Sequence, residues 1–383
     1  MSIVFKLPFN LVKMKKQSYI FLHALNCFSK FGPSRLNKLW AYFSTPRQAF
    51  EADLQEFKKA GIEEKTAQEF ITFRQKIDPE NEFKKIERED IKIATFRDEE
   101  YPQLLWEIHD PPPILYYKGN LKISQNPGVA VVGSRKCTGY SKQVAEHILS
   151  PFLRAHPEIA IISGLALGVD TLAHASALEN KTPTVAILGS GIAEKNIFPS
   201  QNQGLARKII EAGGAVTSEF PPNYPAFKYN FPQRNRIISG LARAVLVVEA
   251  QKRSGAWITA QYGLEQDREV VAVPGNIFSP ASQGTNKLIR CGAHPVTSKQ
   301  DLEEILNLTP ESNSSTNNNT PSEPTDPTEK QIFQCLNHSP VHINYIAQES
   351  GLDITTINSK LSLMEIKGAV KNVGGMKFVK NSF

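Results

Sequence analysis

Phe231–Ala250 reads FPQRNRIISGLARAVLVVEA. Its second half, Ala244 to Glu249, is a continuous apolar run ending in an acid, as a strand buried on both faces of a parallel sheet requires. Its first half sets Arg234, Asn235 and Arg236 on a short turn after Pro232 and follows them with a helix-like run from Ile237 to Leu241. Charge here sits on scaffolding. Between Pro225 and Arg253 there are six cations (Lys228, Arg234, Arg236, Arg243, Lys252, Arg253) and one acid, Glu249, so this window carries +5 of the chain's net +6. A local field of that sign calls for a polyanion.

Outward from that window the same grammar extends from Asn126 to about Ser298. Short apolar runs at 128–133, 159–163, 184–188, 215–217 and 269–273 alternate with amphipathic segments, one of which carries the stripe Val144, Ile148, Phe152 and Leu153. Buried strands alternating with helices predict an α/β domain with a doubly wound, Rossmann-like parallel sheet, placed at 95–305. Its lead-in, Phe96–Pro102 and Asp110–Tyr116, reads as a proline-pinned connector.

The flanks differ in kind. Residues 18–85 read as a small all-α domain whose turns Phe31-Gly32-Pro33-Ser34 and Ala60-Gly61-Ile62-Glu63 each open a helix and leave backbone N–H groups of a sort that can hold phosphate, though packing alone explains them as well. Residues 309–327 contain no large apolar side chain and read as a disordered linker. Residues 328–383 show three helical patterns and two short strand patterns around Gly374-Gly375, which reads as a winged helix.

The bulk numbers bound the function. A chain of 383 residues exceeds one core at roughly 150 residues per domain, so three domains are expected. There is no apolar run near the roughly 18 residues of a membrane helix, and Pro8, Asn10 and the lysines interrupt any signal-peptide core; a cytosolic location without membrane contact is expected. The four cysteines are far apart and form no CxxC, which argues against both a disulfide framework and a zinc site, and no cofactor is expected. Cys335 and His338 alone stand at metal-ligand spacing.

In α/β sheets ligands bind beyond the carboxyl ends of the strands. There the chain presents Gly133-Ser134-Arg135 with Lys136, then Ser163-Gly164 leading to Asp170 and His174, then Gly189-Ser190-Gly191, Glu219 and Ser254-Gly255. A dinucleotide fold would carry GxGxxG at the first of these. A hydroxyl and an arginine fork in its place suit a phosphate held by side chain as well as backbone. Asp170 and His174 read more readily as a structural pair than as an acid–base pair, and Trp257 more readily as core than as a stacking surface. Arg234 and Arg236 read as poor candidates for packing alone.

The combination GSRKCTGY (133–140), SGLALGVDTLAH (163–174), TSEFPP (217–222), FPQRNRIISGLA (231–242), SGAWITA (254–260) and AVPGNIFSPASQGTNKLIRCGA (272–293) resembles the bacterial DNA-processing protein A (DprA/Smf) family, over nearly the whole chain. The resemblance implies an N-terminal domain of sterile-alpha-motif or helix-hairpin-helix type, an extended Rossmann-like centre that dimerises, and a C-terminal winged helix. It implies no enzyme but a protein of natural transformation that binds and protects incoming single-stranded DNA and helps load the RecA recombinase. Carried over residue by residue, the DNA-binding pocket falls on Gly133, Ser134, Arg135, Gly164, Phe231, Arg234, Asn235, Arg236, Ser254 and Gly255, with Lys136 and Lys228 widening the positive strip. Arg135, Arg234 and Arg236 are expected to supply most of the electrostatic grip. Two departures stand out: the loop Gly191–Pro199 is longer than the family's and has Phe198 where the family has tyrosine, and Trp257 replaces an aliphatic residue.

Two rival readings follow from the same residues. The winged helix has six lysines, no arginine and four acids between Thr328 and Phe383, and Thr355–Lys367, its expected recognition helix, carries only Lys360 and Lys367 against Glu365. That is thin for base readout, so an auxiliary or protein-contact role is favoured. The other rival is a nucleotide-binding or phosphoribohydrolase-like enzyme on a related fold, with Asp170, Glu219 and Glu249 as candidate acids. Its glycine-loop-plus-acid pattern is missing here, since the corresponding turn reads Ser254-Gly255-Ala256-Trp257.

Overall fold

A computed structural model describes residues 14–252, 254–308, 326–336, 341–366, 369–372 and 376–380. Residues up to Pro310 form one compact unit and those from Glu311 a second. The expected linker up to residue 325 lies outside the described residues, as do Arg253, His338, Lys367 and Gly374-Gly375.

The centre of the first unit is a sheet of nine strands: β1 (Lys92–Ala94), β2 (Leu115–Gly119), β3 (Gly128–Val132), β4 (Ala160–Ser163), β5 (Thr184–Ile187), β6 (Ala215–Ser218), β7 (Ala244–Val247), β8 (Glu269–Ala272) and β9 (His294–Pro295). They lie in the order β1-β2-β6-β5-β4-β3-β7-β8-β9. From β6 to β9 all neighbours are parallel, with Val129 beside Ile161 on one side and beside Ala244 on the other. From β3 the chain winds outward through β4, β5 and β6, then returns to place β7 on the opposite flank of β3. The order therefore reverses at β3, and the crevice beyond the ends of β3 and β7 is where this architecture places ligands.

Alternation along each strand builds two cores, one per face. Ala130, Val132, Val245 and Val247 pack on one side with Ile237, Ile238 and Leu241, and Val129, Val131, Leu246 and Val248 pack on the other with Phe152 and Val169. Both faces are covered, which is why these strands read as unbroken apolar runs.

Two features differ from the sequence reading. The proline-pinned connector ends in a strand: β2 pairs antiparallel with both β1 and β6, Tyr117 opposite Thr217, and extends the sheet. Its amide ladder is supplied by β6, a partner about a hundred residues distant that local pattern does not reveal. The second difference is the supposed turn at Arg234–Arg236, which lies inside a helix, Asn230–Gly240.

Five short helices between Lys16 and Arg74 surround a phenylalanine cluster in which Phe31 and Phe70 lie 4.7 Å apart and Phe28 and Phe31 5.0 Å apart, and a sixth, Pro79–Arg88, packs Ile86 into the core of the sheet region. The helix Lys16–Asn26 serves two cores: Leu25 belongs to that cluster, whereas Leu22 packs with Ile114 and Tyr116 of the sheet region. Polar groups reinforce the junction, with His23 Nδ1 2.9 Å from the buried Tyr116 hydroxyl and Asn26 Nδ2 donating to that hydroxyl (3.2 Å) and to Glu219 O (3.2 Å).

In the second unit, helices Pro327–Gln334, Ile343–Ser350 and Ile354–Ile366 pack around Ile346, Ile357, Leu361 and Phe378, beside the antiparallel order β10 (Val341–His342), β12 (Lys377–Lys380), β11 (Val370–Asn372). This is a winged helix. No helix among the described residues is long and apolar enough to cross a membrane.

Tyr116→Phe removes one oxygen and leaves His23 and Asn26 without their buried partner. A loss of about 1–3 kcal/mol is expected, read as a lower urea midpoint at unchanged slope.

Candidate nucleic-acid interface

The site is assembled by close approaches that admit no side chain. At Gly133, straight after β3, a Cβ would stand 2.5 Å from Val169 Cγ2 and 3.0 Å from Glu249 O. Gly168 has φ +83° and packs against the Ser134 carbonyl, which accepts from Val169 N at 3.1 Å. The 133–135 turn is thus pressed onto the start of helix Val169–Glu179, with Ser134 Oγ accepting from Lys136 N at 3.1 Å. Arg135 and Lys136 point away from this support and are exposed. The Arg135 guanidinium lies 5.4 Å above the ring of Phe231, and neither Arg135, Lys136 nor Lys228 makes an ion pair among the described residues.

Phe231 is set by a second glycine. Its ring fills the space over Gly189, where a Cβ would lie 2.7 Å from Cδ1, and its outer side meets Phe198 at 5.7 Å. Phe198, from the loop that departs from the family pattern, is exposed. Arg135, Phe231 and Phe198 therefore form a free cation over a two-ring apolar surface.

Arg234 and Arg236 correct the sequence reading. The sequence predicts guanidinium forks presented to a ligand, yet the two residues are 3% and 7% exposed. Arg234 lies flat over Gly164, where a Cβ would meet its Nη2 at 2.5 Å, and its Nη1 donates to Gly164 O (2.9 Å) and to Ile187 O. Those carbonyls end β4 and β5 and have no further strand residue to bond, so the arginine caps the sheet. Burial lowers its pKa to about 10, the neighbouring Arg135 charge pushes the same way, and Asp170 opposes both. Arg236 forms a buried two-pronged pair with Glu219, Nη1–Oε1 2.9 Å and Nη2–Oε2 2.7 Å. Burial alone would lower its pKa and is the strongest single influence, but the charge and hydrogen bonds of Glu219, with the Asp110 and Tyr101 charges, together outweigh it and raise the pKa. Counting charge along the chain could not reveal these partners, because Glu219 and the two carbonyls come from other strands.

The remaining residues divide in the same way. Asn235 is buried and donates from Nδ2 to Gly255 O at 3.2 Å, tying the helix to the 254–255 turn. Gly164 lies beneath Arg234, whereas Gly255 is exposed with open space where a Cβ would stand. Trp257 packs against the core with Lys287 4.5 Å over its ring, so its face is occupied.

The candidate acids are all engaged. Glu249 accepts from Thr138 N (2.9 Å), Thr138 Oγ1 (2.7 Å) and Ser141 Oγ (2.6 Å). Asp170 accepts from Gly164 N and Ala166 N at 3.1 and 3.3 Å; burial raises its pKa against the opposing Arg234 charge. His174 bonds Thr184 Oγ1 at 2.7 Å instead of Asp170.

The sequence reading missed the aromatic run leading into this helix. Phe220 and Tyr224 stack at 5.2 Å, Phe227 and Tyr229 at 5.4 Å, and Tyr229 is 57% exposed. The signal was there in FPPNYPAFKYNF, aromatics interleaved with a lysine.

The family model for DNA recombination-mediator protein A matches residues 92–307, and that for the DprA winged helix domain matches residues 317–376. Protein Smf of Synechocystis sp. is 32% identical over 382 residues, spanning 91% of this chain and 95% of that protein. The DNA processing protein DprA of Streptococcus pneumoniae is 44% identical over 205 residues, 54% of this chain and 71% of that protein. The X-ray structure of DNA processing protein A from Streptococcus pneumoniae superposes with a TM-score of 0.63 at 34% identity, covering 76% of this chain and 98% of that one.

Arg236→Ala strands the Glu219 carboxylate in the core and is expected to cost about 3–5 kcal/mol, whereas exposed Arg135→Ala stays within about 0.5 kcal/mol of the parent; thermal unfolding separates them. Stability should also depend on pH through two buried imidazoles. Burial, aided by the Lys85 charge, pushes His23 down to about 4, and burial with the Arg234 charge pushes His174 down to about 3. Unfolded, each takes its proton near pH 6.5. Their contribution is therefore intact above about pH 6.5 and is lost as pH falls through 4 and then 3, with a shallower fall in His174→Gln.

Proposed function

This chain belongs to the DNA recombination-mediator protein A family, and from that premise we propose that it binds single-stranded DNA at the carboxyl ends of β3 and β7. The observation that carries the reading is the free Arg135 guanidinium over the Phe231 ring. Phosphate meets Arg135, Lys136 and Lys228, an unstacked base meets Phe231 and Phe198, and Ser134, Ser254 and Gly255 line the approach. A duplex keeps its base faces stacked and offers none to this surface, which favours single strands. Gly164, Arg234, Asn235 and Arg236 hold the surface in place from below. Arg234 also adds field, since it remains charged at neutral pH and lies beside Arg135.

The family's description as a recombination mediator supports the further step that the bound strand is incoming DNA of natural transformation, shielded and passed to the RecA recombinase. Dimerisation through the Rossmann-like domain and a cytoplasmic location belong to the same proposal. A catalytic role is disfavoured because Asp170, Glu219 and Glu249 each commit their oxygens to internal partners. The winged helix is auxiliary to strand binding: Lys360 of its helix Ile354–Ile366 is paired with Asp326 at 2.7 Å.

Arg135→Ala should weaken binding to oligodeoxythymidine roughly tenfold at low salt and reduce the salt slope by about 0.7 for each phosphate that Arg135 neutralises in the parent. Unchanged affinity and slope in a gel-shift titration would refute the site. Truncation at residue 308 should retain most single-strand affinity while removing any effect that depends on the winged helix.

A further inference from the structure

Next to this surface, within the same compact unit, a groove of about 580 Å3 opens between the turn leading into helix Pro33–Tyr42 and the segment from Glu219 to Arg236. That volume falls in the range of roughly 300–1,000 Å3 that buries a nucleotide-sized ligand. The site described above does not use it.

One wall is cationic, with Lys30, Arg35 and Lys38. Arg35 is fixed by bonds from Nη1 to Lys30 O (2.9 Å) and from Nε to Glu63 (2.8 Å), and Lys38 Nζ donates to Gly61 O (3.0 Å). Lys30 and Arg35 pair with the half-buried Glu69 and the exposed Glu63, surface pairs of a kind that contributes little to stability. The first turn of the ten-residue helix Pro33–Tyr42 opens here with no side chain capping its amides, a favourable end for an anion.

The opposite wall is aromatic. Phe220, Tyr224 and Tyr229 line it, and the stacked rings of Phe227 and Tyr229 are nearly parallel, at 8°. Between the walls lies Asn230, wholly buried: its Nδ2 donates to Gly189 O at 3.0 Å, while its Oδ1 is buried with no donor from the protein among the described residues. A buried acceptor without a donor is an unmet demand that a base imino or amino group answers.

The two surfaces share one helix turn. Phe231 stands on the Arg135 side of helix Asn230–Gly240, whereas Asn230, Gln233 and Arg236 border the groove. A strand leaving Phe231 meets Tyr229 next. Acids are present too: Glu219 pairs with Arg236, Glu63 with Arg35, and Asp110 lies 3.7 Å from the Arg236 guanidinium, so four cations line the groove against three acids.

We propose that this groove is a second subsite of the single-strand path, taking a base against Tyr229 and Asn230 and its flanking phosphate at Arg35, Lys38 and the open helix end. It rests on the reading of Arg135 and Phe231 as the first subsite. The helical N-terminal segment then becomes part of the DNA-binding surface.

Length dependence tests it, with fluorescence anisotropy of the full chain on oligodeoxythymidines of about 6 and about 20 nucleotides. Tyr229→Ala, and separately the double variant Arg35→Ala with Lys38→Ala, should weaken the longer strand about fivefold or more and leave the shorter unchanged, while Arg135→Ala weakens both. Parent-like affinity of both groove variants for the longer strand overturns the second subsite. No effect of Arg135→Ala at either length overturns the first. An equal loss on a duplex of the same length overturns the assignment to single strands. Photocrosslinking of bromodeoxyuridine-substituted strand gives an independent reading: adducts at Tyr224 or Tyr229 support the path, and adducts confined to the neighbourhood of Phe231 overturn it.

Discussion

Arg234 holds the strand-end face of the sheet together. Its guanidinium closes the carbonyl ends of β4 and β5, fills the space that Gly164 leaves open, and thereby fixes the helix Asn230–Gly240 across the strand ends. From that helix Phe231 reaches the Arg135 side, Asn235 reaches the 254–255 turn, and Arg236 reaches Glu219. A buried cation is costly unless it is fully hydrogen-bonded, so the arrangement exists only because two carbonyls and the Asp170 charge converge on one point. Geometry at the surface is inherited from that convergence.

Arg236 extends the same logic toward the N-terminal helices. Glu219 holds Arg236 through its carboxylate, and its backbone carbonyl accepts from Asn26. Tyr116 then links Asn26 and His23 to the sheet. A continuous polar chain therefore runs from helix Asn230–Gly240 through the end of β6 to helix Lys16–Asn26. Polar cores of this kind specify relative position more than they add stability, since one misplaced partner leaves a buried group unsatisfied. The two walls of the groove are consequently held in register by this chain, of which Asn26, Glu219 and Arg236 themselves line the groove.

The central sheet was legible because its strands are buried on both faces, a condition that writes itself into the chain as uninterrupted runs such as Ala244–Val247 and Gly128–Val132. A short antiparallel strand leaves no such mark: Leu115–Gly119 follows three prolines and owes its state to its neighbours β1 and β6. At the interface, the residue types and their positions at strand ends were readable, whereas their division of labour was not. Whether an arginine faces solvent or caps a sheet depends on which carbonyls end beneath it, and that is a tertiary fact. The aromatic segment from Phe220 to Tyr229 was overlooked for the opposite reason: it has neither helical nor strand periodicity, so its meaning lay in composition alone.

The division into exposed and buried cations has a consequence for how ligand and fold are coupled. Arg135 and Arg234 repel one another across the Gly133–Gly164 region, and the repulsion falls on a guanidinium already destabilised by burial. A phosphate seated at Arg135 removes that repulsion. An anion at the surface would therefore favour the internal cap that shapes the surface, in addition to the ordinary stabilisation any ligand brings by mass action. An arginine that only faced solvent would give affinity without this coupling, and one that only capped the sheet would give structure without charge. With one of each side by side, a polyanion at Arg135 would favour the conformation that the core itself requires.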